Sequence, residues 1–282
     1  MRKEKKLERF KEIERTIIKN YRKKIWQKFI RGINEFDMIQ QGDKIAVCIS
    51  GGKDSMLLAK CFQELKRHGK IDFELVFLVM DPGYSKKNMK KIIDNSELLN
   101  IPITVFETQI FESVDKIDDH PCYVCARMRR GYLYKKAQSL GCNKIALGHH
   151  FDDVIETVLM GMMYGSQFQT MMPKLHSTFH EGMELIRPLY YVKEADIISW
   201  QNRNKLEFIK CACRITEKQS LSEDEIGSKR DEIKQLITEL RKKYKNIDVN
   251  IMRSTQNVNL NTVISYTKNG ESHHFLDEYN EV

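Results

Sequence analysis

The chain has 282 residues, of which 41% are hydrophobic and 30% charged, and a formal net charge of +8. That length suits one large α/β domain with appendages, and no apolar stretch reaches the roughly 18 or more residues of a membrane-spanning helix. The basic start, Met1-Arg2-Lys3-Glu4-Lys5-Lys6, is followed by no apolar segment, which argues against a secretory signal, and a cytoplasmic, non-membrane protein is expected.

The first 40 residues read as a helical region, with Ile13, Ile17, Ile18, Tyr21, Ile25, Phe29 and Ile33 near helical spacing and a basic opposite face. The exposed helix over 5–30 is compatible with a homodimer. Gln41-Gly42-Asp43 turns into a strand over 44–49. Ser50-Gly51-Gly52-Lys53-Asp54-Ser55 follows, and then a helix to about His68, with Gly69 suited to its C-cap. Strand, glycine turn and helix start make an anion site: glycines permit φ > 0, and the turn and helix N–H groups point at the ligand. The spacing differs from the G-x-x-x-x-G-K-[ST] of P-loop kinases. It resembles the PP-loop of ATP pyrophosphatases, which implies cleavage of ATP between its α- and β-phosphates.

Further along, 73–80 reads as a buried strand ended by Asp81-Pro82-Gly83, 86–99 as helix and 102–107 as a third strand. Cys122-Tyr123-Val124-Cys125 opens a helix read over 125–140, and 144–147 is a fourth strand. Gly148-His149-His150-Phe151-Asp152-Asp153 precedes a helix over 154–164. Alternating strands and helices indicate a doubly wound parallel sheet, and segments 50–55, 81–84 and 148–153 then converge beyond the strands' carboxyl ends. Residues 166–182 read as an irregular Met-rich connection and 185–191 as extended. Residues 194–204 read as helix, 206–213 as a short strand, 226–245 as a charged helix and the rest as a polar tail. The domain boundaries expected are 1–40 for the N-terminal helical region, 41–215 for the nucleotide-binding and catalytic domain, and 216–282 for the C-terminal helix and tail.

Seven cysteines, at 48, 61, 122, 125, 142, 211 and 213, are an odd number. In a reducing compartment they serve as core thiols, metal ligands or redox groups rather than disulfides. The Cys122/Cys125 spacing lets two thiolates share one metal centre, and a helix N-terminus favours the thiolate. It fits half a zinc site, a redox dithiol or part of an iron–sulfur site, and the residues alone leave these open. Cys48, Cys61 and Cys142 sit in apolar or structural contexts. The net charge fits tRNA or a lysine-rich surface equally. Arg127, Arg129, Arg130, Lys135 and Lys136, clustered just after the cysteine pair, favour the nucleic acid.

Together, residues 33–39 with Gly42-Asp43, the hexamer, the central C-x-x-C, the segment 148–153 and a late cysteine resemble the tRNA 2-thiocytidine synthetase family over roughly residues 30 to 260. The resemblance implies a PP-loop fold of the adenine nucleotide alpha hydrolase type, with an N-terminal helix and a helical C-terminal extension. It implies an ATP-dependent tRNA sulfurtransferase that adenylates the C2 oxygen of an anticodon-loop cytidine and replaces it with sulfur from a cysteine desulfurase or another sulfide donor. The implied cofactors are ATP, Mg²⁺ and a 4Fe–4S cluster held by Cys122, Cys125 and Cys213. Cys213 is preferred to Cys211 as the second cysteine of a shortened C-x-C motif. Ser50, Gly51, Gly52 and Ser55 would cradle pyrophosphate, and Lys53 would neutralise it. Asp54, or Asp152 and Asp153, would hold Mg²⁺, and Met80 and Gly148 would line the nucleotide site. Lys53, Asp54, Cys122 and Cys125 would carry the chemistry. Against this stand helix capping by Asp152-Asp153, a sulfurtransferase for another tRNA base or a small molecule, a zinc-containing adenylating enzyme, and a non-catalytic RNA-binding protein. The cysteines disfavour the lysidine synthetase sibling.

Overall fold

The computed structural model describes residues 8–111, 121–209, 229–277 and 279. The chain divides into two compact units, Met1–Val154 with Met172–Ile226, and Ile155–Met171 with Gly227–Val282.

In the first unit the N-terminal region is two helices, α1 (Arg9–Ile18) and α2 (Gln27–Glu35), joined by a wide π-type turn over Arg22–Trp26. The sequence suggested one helix. The difference has a geometric cause. Ile13, Ile17, Tyr21, Ile25, Phe29 and Ile33 recur every fourth residue, which walks about 40° around an α-helix per step. The wide turn, with Tyr21 N–H bonded to Thr16 O, resets the drift, and all six side chains are buried.

Six strands form the main sheet: β1 (Lys44–Ile49), β2 (Glu74–Asp81), β3 (Ile103–Glu107), β4 (Lys144–Ala146), β5 (Lys174–His176) and β6 (Glu184–Ile186). Their order is β3-β2-β1-β4-β6-β5, parallel throughout except for the antiparallel β5–β6 pair. β1 is the central strand, with Ile45 opposite Leu75 on one side and Lys144 on the other. Its residues alternate between faces. Ile45, Val47 and Ile49 join Met56, Leu57 and Phe62 of α3 (Lys53–His68) and Phe29 of α2. Ala46 and Cys48 join Tyr134 and Ala137 of α5 (Pro121–Ser139) on the other face. α4 (Lys86–Leu98) returns the chain from β2 to β3. Gly69 does end α3, in an extended rather than left-handed conformation; a Cβ there would stand 2.5 Å from Leu65 O.

β5 was not expected from the Met-rich segment, and the extended stretch before Pro188 supplies a sheet strand, β6. Residues 206–209 are not a strand. Asn95 Nδ2 donates to Glu207 O (2.9 Å), so a side chain takes a group that a ladder would use. α7 (Glu194–Arg203) precedes them. α6 (Phe151–Tyr164) starts three residues earlier than expected, which places Asp152 and Asp153 inside its first turn.

In the second unit, α8 (Lys229–Lys243) and α9 (Ile247–Ser254) are followed by a hairpin of β7 (Ser265–Lys268) and β8 (Glu271–His274). Asn269 and Gly270 both take positive φ at its turn. Asn-Gly is the usual signal for a two-residue hairpin, so the tail read only as polar carried that information. Among the described residues no helix is long and apolar enough to cross a membrane.

Candidate active site

The strand order reverses direction at β1, between β2 and β4, so the loops after β1 and β4 flank the crevice where such sheets bind ligands. The loop after β1 requires glycine at its first turn position, where side chains pack against it. Gly51 has φ +85°, and a Cβ there would stand 2.6 Å from Ile92 and 2.7 Å from Ile209. Ser55 Oγ donates to Gly52 O at 3.0 Å, accepts from Ser50 N–H at 3.2 Å and lies 3.2 Å from Ser50 Oγ. These contacts close the loop onto the first turn of α3, whose free N–H groups and dipole favour an anion.

Lys53 Nζ sits 2.8 Å from Glu194 Oε1 and 3.2 Å from Asp54 Oδ2. Burial disfavours the ammonium, but the two carboxylates outweigh it and hold its pKa above the usual lysine value. Asp54 behaves oppositely. Burial pushes its carboxyl above the ordinary range, against the pull of His150 and Lys53. Asp54 Oδ1 is buried without a hydrogen-bond partner, with His150 Nε2 at 3.7 Å. A carboxylate oxygen left over beside a phosphate-type loop suits a cation brought by the ligand.

The loop after β4 locks onto the first. A Cβ on Gly148 would lie 3.1 Å from both Asp54 C and Ser55 N, so this position must be bare for the two backbones to meet. Asp153 Oδ2 accepts from His150 N–H at 2.9 Å, the reciprocal half of a capping box. Asp152 Oδ2 accepts from Glu194 N–H at 2.7 Å, which ties the starts of α6 and α7 together and sets Glu194 against Lys53. Both aspartates therefore carry structural bonds. Glu194 and Ile209 were missed by sequence reasoning, because neither lies in a motif. A cavity of about 580 Å³ opens beside Gly52, Lys53 and Asp54, and Glu194, Phe208 and Ile209 also line it.

Met80 is buried with Ile110, Phe111 and Cys125 in a small apolar cluster. Asp81, next in β2, accepts from the N–H groups of Gly83 (2.9 Å) and Tyr84 (2.7 Å) and fixes that turn. α5 opens at Pro121, so Cys122 and Cys125 share its first turn at i, i+3. The side chain of Cys122, and the whole of Cys211 and Cys213, lie outside the described residues. Among the described residues there is no group of three metal-ligating side chains.

Residues 21–215 match the PP-loop domain family. The chain is 40% identical over 185 residues to the tRNA-cytidine(32) 2-sulfurtransferase of Neisseria meningitidis serogroup C, a match that covers 64% of this chain and 57% of that protein. It is 34% identical over 231 residues to the protein of that name from Pelobacter propionicus, with 81% and 83% covered. The chain thus spans little more than half the length of the Neisseria relative. Among solved structures it superposes on the U34-tRNA thiolase NcsA from Methanococcus maripaludis, solved with its 4Fe–4S cluster. That match has a TM-score of 0.61 and 20% identity, and covers 88% of this chain and 78% of that one.

Proposed function

Since this chain belongs to the tRNA-cytidine 2-sulfurtransferase family of PP-loop proteins, we propose that it is an ATP-dependent enzyme that thiolates a tRNA cytidine. The observation that carries the reading is the loop 50–55 at the switch point, with Lys53 held by two carboxylates and Asp54 Oδ1 unpartnered. ATP would lay its β- and γ-phosphates against the N–H groups of the loop and the first turn of α3. Lys53 would then exchange Glu194 for phosphate oxygens, and Asp54 is the residue that would hold the accompanying Mg²⁺. The C2 oxygen of the cytidine attacks the α-phosphorus, and the bond to the β-phosphate oxygen breaks to release pyrophosphate. A sulfide sulfur then adds at C2 and AMP leaves with the original oxygen. Lys53 and the loop stabilise the charge that builds on the departing pyrophosphate.

Cys122, Cys125 and Cys213 are the residues that would hold a 4Fe–4S cluster. The donor chemistry suits it, since Cys122 and Cys125 lie about one turn apart at the start of α5, where a helix N-terminus favours the thiolate. When bound through three protein ligands, such a cluster would supply an iron open to a sulfur atom.

The test is product analysis with full-length protein, ATP, tRNA and a sulfide source. AMP, pyrophosphate and a 2-thiocytidine nucleoside are expected, and Lys53→Ala should lower turnover by about 10²-fold or more. Formation of ADP and orthophosphate would refute the adenylation chemistry.

A further inference from the structure

A second cavity, of about 650 Å³, opens between α5 and the turn that joins β5 to β6. On the α5 side it is lined by Arg127, Arg130 and Tyr134, at i, i+3 and i+7 on one helix face. On the other side stand His176, Phe179 and His180. No carboxylate lines it among the described residues. His176 Nδ1 has Glu184 Oε1 at 3.5 Å, and that carboxylate is outside the lining. Arg187, at the end of β6, adds positive charge nearby: burial first, and then Arg130, bring its pKa down to about 10.

The turn is preorganised. Ser177 N–H bonds Met183 O (2.8 Å), His180 N–H bonds Ser177 Oγ (3.1 Å) and Met183 N–H bonds His180 O (3.1 Å). The rings of Tyr134 and His180 stack at 5.1 Å and 17°, pinning the turn to α5. Against that rigid frame, Phe179 is 82% exposed. A fixed turn that holds a phenyl ring in water, beside arginines facing no lining acid, lacks an anion carrying a flat ring.

We propose that this cavity binds one unpaired RNA nucleotide next to the reacting cytidine, with its base stacked on Phe179 and its phosphate on Arg127 and Arg130. The inference rests on the tRNA reading above and extends it to a subsite. Position supports it. Arg127 follows Cys125 by two residues, about 3 Å along the helix axis and on a different face of α5, so the cavity would take a nucleotide beside the reacting one and not the reacting one itself. Unpaired loop nucleotides are the ones free to splay onto an aromatic ring.

Binding of full-length protein to labelled tRNA, measured by fluorescence anisotropy across a salt series, tests it, with ATP affinity measured on the same samples. Phe179→Ala should weaken tRNA binding about tenfold with an unchanged salt slope, while Phe179→Tyr retains binding. Arg127→Gln and Arg130→Gln should each flatten the slope of log K against log salt, by about 0.7 between them for the one phosphate they share. ATP affinity should be unchanged in all four variants. Wild-type binding to tRNA that persists undiminished in Phe179→Ala and Arg130→Gln would overturn the subsite and leave the function standing. A wild-type protein that fails to bind tRNA at low salt would overturn both. Parallel loss of ATP and tRNA affinity would overturn the local role, because it would report a damaged fold.

Discussion

Lys53 and Asp54 are neighbours in the chain with opposite electrostatic situations. Lys53 is held charged by two carboxylates, whereas the Asp54 carboxylate is desolvated with one oxygen unpartnered. Because burial raises the folded-state pKa of Asp54, its ionised form weighs against the fold. That penalty is absent below the ordinary carboxylate range, grows as pH rises through it and is complete above the folded pKa. Asp54→Asn should therefore raise Tm at pH 7 by a few degrees at most, the scale of one small stability change in a chain this long. The gain should fade toward about pH 3, and a lower Tm at pH 7 in thermal melts would contradict it. Gly148 is a residue-scale constraint of another kind. Gly148→Ala places a methyl 3.1 Å from the backbone of Asp54 and Ser55, which cannot yield without moving the loop. Calorimetric titration with ATP should show affinity reduced about tenfold, equivalent to about 1.4 kcal/mol. Unchanged affinity would mean that the two loops are not coupled. The glycine turn between β1 and α3 was legible from six consecutive residues. The role of Gly148 as a spacer was not, since nothing in its own neighbourhood says what backbone passes above it.

Among the elements, the N-terminal helices are fastened to α3 by charge as well as by apolar packing. Lys60 is fully buried, with Nζ bonded to Glu14 Oε1 (2.5 Å), Gln63 Oε1 (2.7 Å) and Leu99 O (2.7 Å). Glu14 also takes Arg67, at 2.9 Å. Lys60→Met orphans Leu99 O and strips one partner from Glu14, which keeps Arg67. Urea unfolding should show a loss of about 3 kcal/mol, with ATP affinity retained. A loss below about 0.5 kcal/mol would show that the buried ion pair contributes nothing net. This staple was invisible in the sequence: a lysine on the apolar side of a helix pattern reads as an interruption. β5 was missed for a related reason. Lys174-Leu175-His176 is three residues long and gains strand character only by pairing with β6. The Asn269-Gly270 turn, by contrast, was legible and overlooked.

At the scale of the whole molecule, the first unit packs apolar clusters on both faces of one sheet, and three cysteines are spent as core hydrophobes. Burial pushes the Cys48 thiol up to about 12, and it raises Cys61 and Cys142 as well. Thiols at such values are almost wholly protonated at neutral pH and inert. Alkylation of the native protein at about pH 8 followed by peptide mass spectrometry should leave Cys48, Cys61 and Cys142 unmodified, and all seven cysteines should react in guanidinium. Modification of Cys48 under native conditions would require the sheet face under α5 to open.

The sequence by itself determined the strand–glycine-turn–helix of residues 44–68, the C-x-x-C at a helix start and the alternating α/β plan, because each is written within a few consecutive residues. The tertiary structure alone decided that Glu194 meets Lys53 across 141 residues, that Gly148 lies against Ser55, and that Phe179 faces Arg130. Those contacts depend on the lateral order β2-β1-β4-β6. Hydrophobic periodicity fixes which face of an element is buried, and it leaves open which element becomes its neighbour.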